Sequence, residues 1–180
     1  MRAELRAYLD ADWRRLALLA GQTPRRRTLF ANFGPRFCHI WALRTAQVLH
    51  AHGYRRLAKL ASLFNVIVFT LEVPARLSIG PGLVMPHPQG VVLGARAIGA
   101  NATIFQQVTF GGRVADFDYV PDRRPLVEDD VTVSAGAKVL GPVTLGRGSV
   151  VGANAVVLAN VPAGATAVGV PARVVEAGDV

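Results

Sequence analysis

From residue 127 onward, every sixth position is aliphatic or alanine: Val127, Val133, Val139, Leu145, Val151, Val157 and Ala163. Two positions before each next member of that series sit Val131, Ala137, Val143, Ser149, Ala155 and Val161, all small or β-branched. The same period of six runs upstream through Val92, Ile98, Ile104 and Phe110. A period of six matches neither the alternation of an ordinary strand nor the 3.6 of an amphipathic helix. It suits a chain that turns a corner every six residues, so that each aliphatic side chain enters a triangular prism. The small residues then fit the corners, and successive coils hydrogen-bond to one another. At about 18 residues per coil, residues 73–175 predict about five coils. Gly99, Gly146 and Gly152 each follow an aliphatic, at corners expected to need unusual dihedrals.

Two interruptions stand out. The phase slips near Pro88-Gln89-Gly90, and the 16 residues from Gly111 to Leu126 fit no hexad. A long excursion from a repetitive scaffold is more often functional than structural.

The first 70 residues follow a helical period instead. Phe37, Ile40, Trp41 and Val48, with Leu43 nearby, form one stripe; Gly53 is a natural stop. Tyr54 to Phe69 opens a second helix with apolar Leu57, Leu60, Ala61 and Phe64, and an earlier helix is expected over Ala3 to Leu19, ending at Gly21. Pro24 and the arginine run Arg25-Arg26-Arg27 form a connector. The fold class is therefore mainly β: a parallel β-helix of hexapeptide repeats over 72–175, carrying the loop 111–126. A helical region over 1–71 precedes it and a short tail, 176–180, follows.

Charge divides along the same line. Residues 1–60 hold 12 Lys+Arg against 3 Asp+Glu, whereas 61–180 hold 8 against 9. The basic arm shows no recognised nucleic-acid motif, and a solvated or partner-facing helical surface explains it, so no nucleic-acid partner is expected. With 51% hydrophobic residues the chain can bury a core, unlike a disordered one. The lone Cys38 excludes an internal disulfide framework or a cysteine-rich metal site. The charged start MRAELRAYLDADWRR lacks the apolar run of a signal peptide. The longest apolar stretch, Leu60 to Val73, is broken by Ser62, Asn65 and Glu72, too soon for a membrane span. A cytoplasmic protein without stable membrane insertion is expected.

Four segments then carry a resemblance. They are Ile79-Gly80-Pro81-Gly82-Leu83-Val84-Met85-Pro86-His87-Pro88-Gln89-Gly90-Val91-Val92-Leu93-Gly94, Val108-Thr109-Phe110-Gly111-Gly112, Ser134-Ala135-Gly136-Ala137-Lys138-Val139-Leu140-Gly141-Pro142, and Val168-Gly169-Val170-Pro171-Ala172-Arg173-Val174-Val175. In order and spacing, over roughly 36–175, the chain resembles the serine O-acetyltransferase family of hexapeptide acyltransferases. The resemblance implies a left-handed β-helix and a homotrimer, and leaves open whether two trimers associate. It also implies acetyl-CoA, as acyl donor, bound between neighbouring β-helices.

Moving acetyl from a thioester to an alcohol requires a base for the hydroxyl proton, and imidazole is suited to that task near neutral pH. His39, His50 and His52 lie in the helical part; only His87 lies in the repeats, where it matches the family's catalytic histidine. The family places an aspartate fifteen residues earlier to orient that base, and Glu72 stands there in this chain. Two other family positions differ. An acceptor-holding aspartate directly before the histidine is replaced by Pro86, and the later Arg-His-Pro becomes Arg123-Arg124-Pro125. Arg123 remains able to form a bidentate bond with an acceptor carboxylate, and Arg124 replaces the second histidine. The resemblance assigns Gly111, Gly112, Ala135 and Ala153 to the CoA groove, with Lys138 and Arg173 as candidate phosphate contacts. The loop Arg113 to Arg124, with Phe117 and Tyr119, is expected over the acceptor site. It is three residues longer than the commonest family pattern.

An acyl-cysteine route through Cys38 is disfavoured, because that residue lies in a helix away from the repeats. A carbonic anhydrase of the same fold needs three histidine ligands, which one repeat histidine cannot supply. The sequon Asn101-Ala102-Thr103 falls inside a coil. Two classes remain. One is an O-acetyltransferase acting on serine, or on a sugar, exopolysaccharide or secondary-metabolite hydroxyl. The other is a trimeric interaction platform using the basic arm. Family members that dock on the cysteine-forming sulfhydrylase do so through a long tail ending in isoleucine. The short Glu176-Ala177-Gly178-Asp179-Val180 speaks against that partner.

Overall fold

The computed structural model describes residues 1–114 and 118–175. Three helices, α1 (Arg2–Leu19), α2 (Cys38–Ala51) and α3 (Arg55–Phe69), lead into a left-handed parallel β-helix. Its three faces are stacks of two- and three-residue strands. The first holds β2 (Val92–Leu93), β5 (Thr109–Gly111), β8 (Lys138–Leu140) and β11 (Val156–Val157). On the second lie β1 (Ser78–Ile79), β3 (Ala97–Ile98), β6 (Leu126–Val127) and β9 (Thr144–Leu145). The third contains β4 (Thr103–Ile104), β7 (Thr132–Val133), β10 (Val150–Val151) and β12 (Thr166–Val168), edged by β13 (Arg173–Val175). Every pairing is parallel except β12 with β13, which turns back antiparallel and ends the solenoid.

The hexad predicts the core. Val127, Val133, Val139, Leu145, Val151 and Val157 are buried in register, as are Ile98, Ile104 and Phe110. Each such side chain contributes about 1.5–3 kcal/mol by leaving water. Two positions depart from it. Ala163 is exposed, because the last coil is two residues short: Val161 pairs with Leu145 and Ala167 with Val151. At the other end Leu93, not Val92, points inward and pairs with Phe110, because the turn between Leu93 and Ile98 is one residue short of a hexad.

The glycine expectation also needs correcting. Gly99, Gly146 and Gly152 have no positive φ. They are required by close approach: a Cβ at Gly146 would lie 2.5 Å from the Ala163 nitrogen, and one at Gly99 2.6 Å from the Glu128 carbonyl carbon. The left-handed corner positions are instead Asn101, Asp130, Gly148 and Gly164 on one edge, and Gly90, Gln107, Gly136 and Asn154 on another. Asparagine and aspartate tolerate this region better than other non-glycine residues.

The helices are clamped to the first coil by one buried ion pair. Arg44 of α2, only 1% exposed, donates to both Asp12 carboxylate oxygens of α1 at 2.8 and 3.1 Å. It also donates to the carbonyls of Ile79 and Gly80, while Asp12 accepts from the backbone N–H groups of Gly82 and Leu83. α3 packs through Ala58 and Asn65; Leu57 and Leu60 of its apolar stripe are 51% and 62% exposed.

Candidate functional site

His87 lies where the third face turns into the first. Val84 bridges to Thr103 on the third face, Met85 is buried, and the chain then passes Pro86, His87 and Pro88 before reaching β2. The His87 side chain is exposed and borders a groove of about 510 Å³. Arg15, Leu16 and Leu19 of α1 form one wall of it, and Pro86, Thr103 and Phe105 belong to the other.

Two contacts hold this turn from behind. His39 Nε2 donates to the Met85 carbonyl at 3.0 Å, and Thr70 Oγ1 accepts from the Gly90 N–H at 2.9 Å. His39 is fully buried, and burial lowers its pKa to about 4, so it is a neutral donor. In sequence His39 reads only as a helical histidine. Its only signal is a polar residue beside the apolar stripe of α2, which does not reveal what lies opposite.

Glu72 is exposed, and its backbone is paired with β2: its N–H donates to the Val91 carbonyl and its carbonyl accepts from Leu93, both at 2.9 Å. Its side chain forms no hydrogen bond or ion pair with His87. Cys38 is half-buried, and burial pushes its thiol up, away from a thiolate nucleophile.

The donor-side candidates divide between two corners. Ala135, half-buried, and Ala153, exposed, lie on the His87 corner. A backbone ladder joins them to it: Gln107 to Gln89, Gly136 to Gln106 and Asn154 to Ala135, at 2.9, 2.9 and 2.8 Å. Lys138 on β8 donates Nζ to the Gln107 carbonyl. Gly111 and Gly112 lie at the next corner, where the first face meets the second and the long loop leaves. A Cβ at Gly111 would find nothing nearer than Leu140 Cδ2 at 3.9 Å, so the surface there is open. Small residues along an edge, an open glycine and a nearby ammonium fit an extended, phosphate-bearing thioester such as acetyl-CoA. Arg173 is exposed at the start of β13.

Arg123 and Arg124 share the corner of Gly111. Arg123 is exposed at the end of a 3-10 turn, Pro121–Arg123. Arg124 is half-buried: its guanidinium lies 3.7 Å from the Tyr119 ring centroid and donates to the Gly94 carbonyl at 3.1 Å. Tyr119 Oη donates to the Ala95 carbonyl and the Arg76 guanidinium lies 4.3 Å from the same ring centroid, so the end of the loop is fastened to the prism. Phe117 and the tail 176–180 lie outside the described residues. Within one chain, therefore, His87 and Arg123 occupy different corners, separated by a face that spans at most about 20 Å.

Among the described residues no group of three or more His, Cys, Asp or Glu is placed to hold a metal, and no helix is long and apolar enough to cross a membrane. The bacterial transferase hexapeptide family (six repeats) matches residues 124–159. The serine acetyltransferase of Bacillus subtilis (strain 168) is 41% identical over 137 residues, 76% of this chain and 62% of that protein. That of Escherichia coli (strain K12) is 37% identical over 140 residues, 77% of this chain and 50% of that one. This chain thus spans less than two thirds of those relatives. Solved soybean serine acetyltransferase superimposes with a TM-score of 0.81 at 34% identity, covering 96% of this chain and 69% of that one. A serine acetyltransferase in complex with CoA gives 0.75 at 31% identity, covering 94% and 68%. By sequence, fold and repeat, the chain belongs to the serine acetyltransferase family of hexapeptide transferases.

Proposed function

We propose that this protein is an acetyl-CoA-dependent O-acetyltransferase of the serine acetyltransferase type, with His87 as general base. The observation that carries the reading is the placement of His87. It is the one histidine of the repeat region, exposed at a groove and joined by a continuous backbone ladder to the small residues Ala135 and Ala153. The hydroxyl oxygen attacks the thioester carbonyl as His87 takes its proton; the carbon–sulfur bond then breaks, and the departing thiolate recovers that proton from the imidazolium. Glu72 is proposed as the orienting carboxylate, and Arg123 and Arg124 as acceptor-side groups. Gly111, Gly112, Ala135, Lys138, Ala153 and Arg173 are assigned to the donor. Residues 1–71 brace the site, and 72–175 carry it.

The division of these residues between two corners supports a homotrimer in which the His87 corner of one copy faces the Gly111–Arg123 corner of the next. Because the donor is an intracellular metabolite, we place the reaction in the cytoplasm. Pro86, which offers no hydrogen-bonding side chain beside His87, favours a second reading: acetylation of a sugar or metabolite hydroxyl rather than serine. Thiol release from acetyl-CoA with a panel of alcohols tests both. At least one alcohol should accelerate release, and His87→Ala should lower the rate by about 100-fold or more. Unchanged turnover in that variant would remove His87 from the mechanism.

A further inference from the structure

The groove beside His87 is cationic. Arg15 and Arg36 line it together with the imidazole, and among the described residues no aspartate or glutamate does. The carboxylates of α1 that come nearest in sequence are committed elsewhere. Asp12, one turn before Arg15, is fully buried and accepts from Arg44, Gly82 and Leu83. Asp10 pairs with Arg27 and Arg6. Arg15 Nε is buried with no hydrogen-bond partner, and neither Arg15 nor Arg36 forms an ion pair among the described residues.

A buried guanidinium N–H without an acceptor is costly, and the planar fork of arginine matches carboxylate or phosphate oxygens. Within one copy, among the described residues, an ammonium group in this groove would meet two guanidinium groups and no carboxylate lining it. Pro86, next to His87, offers it no acceptor side chain either. Leu16 and Phe105 add apolar surface beside the charged groups.

We infer that the acceptor is an anionic alcohol without an ammonium group, its carboxylate or phosphate held by Arg15 and Arg36 while its hydroxyl faces His87. The inference rests on the O-acetyltransferase reading and narrows its substrate class. Arg15 and Arg36 act as specificity-determining residues, in addition to Arg123 at the other corner.

Four primary alcohols that differ in charged groups test it: 3-hydroxypropionate, glycerol 3-phosphate, serine and ethanolamine, each with acetyl-CoA and thiol release as readout. One of the two anionic alcohols should exceed serine in kcat/KM by about 10-fold or more, with ethanolamine poorest. Whichever anion leads identifies carboxylate or phosphate as the group held. Arg15→Gln and Arg36→Gln should each raise KM for that acceptor about 10-fold and leave KM for acetyl-CoA unchanged, with Arg15→Lys intermediate. Serine preferred over both anionic alcohols, or ethanolamine equal to them, would overturn the inference. If none of the four releases thiol, the transferase reading is what fails, and calorimetric titration with glycerol 3-phosphate and 3-hydroxypropionate still judges the groove. Binding lost in Arg15→Gln would uphold the anion site; no binding to the unaltered protein would refute it.

Discussion

His39 donates its Nε2 hydrogen to the carbonyl oxygen of Met85 across 3.0 Å, two residues before His87. A helical side chain thus fixes the backbone of the turn that presents the proposed base. The bond is fully buried, so removing the donor leaves a carbonyl without a partner. His39→Leu should destabilise the fold by about 1–3 kcal/mol and lower kcat about 10-fold, with little change in KM for acetyl-CoA. His39→Gln, which restores a donor, should recover part of the kcat; equal loss in both variants would make the role one of packing alone.

The same histidine makes stability pH-dependent. Burial lowers its pKa from 6.5 to about 4, against the weaker opposing pull of the Met85 carbonyl. The unfolded chain therefore binds a proton that the folded one refuses, so this stability is complete above pH 6.5 and is lost as pH falls toward 4. The loss attributable to His39 is about 2 kcal/mol at pH 5. Urea midpoints measured at neutral pH and near pH 5 should differ less in His39→Leu than in the unaltered protein.

Arg44→Ala would strip the partner from a fully buried Asp12 and from the carbonyls of Ile79 and Gly80. Breaking a buried pair from one side costs about 3–5 kcal/mol. Replacing both members, Asp12→Asn with Arg44→Met, should cost less than Arg44→Ala alone when unfolding is followed by circular dichroism.

Glycines that look alike in the repeat should respond differently. Gly146→Ala would place a Cβ against the Ala163 backbone of the next coil, where neither side can yield, at a cost of about 1–3 kcal/mol. Gly111→Ala enters open space and should leave stability within about 0.5 kcal/mol. At the donor corner, however, it should raise KM for acetyl-CoA. Thermal melts and initial rates on the two variants separate the effects.

If one catalytic site draws on two copies, two inactive variants should rescue each other. His87→Ala and Arg123→Ala proteins, unfolded and refolded together in equal amounts, should regain turnover at about a quarter of the sites of a cyclic trimer. No recovery would confine each site to one chain.

The fold could be anticipated because period six is a local property: each hexad side chain must leave water at the same angular position, so Val127 through Val157 needed no knowledge of distant contacts. At Val92 and Ala163 the coil is one and two residues short at a turn, and only pairing with the neighbouring coil shows which side chain enters the prism. Gly99 and Gly146 suggest special dihedrals in sequence but are required by proximity, because the atoms that crowd them belong to the next coil.

His87 could be chosen from sequence, since its flanking residues and its position in the repeats set it apart from three helical histidines. Its surroundings could not. The support from His39, the groove wall of Arg15 and Leu16, and the binding of Asp12 by Arg44 all join residues more than 30 positions apart, through side chains of helices whose periodicity records only which face is apolar. A short-range pattern encodes the prism because each coil repeats the same burial problem. The chemistry of the groove arises where the helices cross the first coil, a contact made only once, so no repeat could announce it.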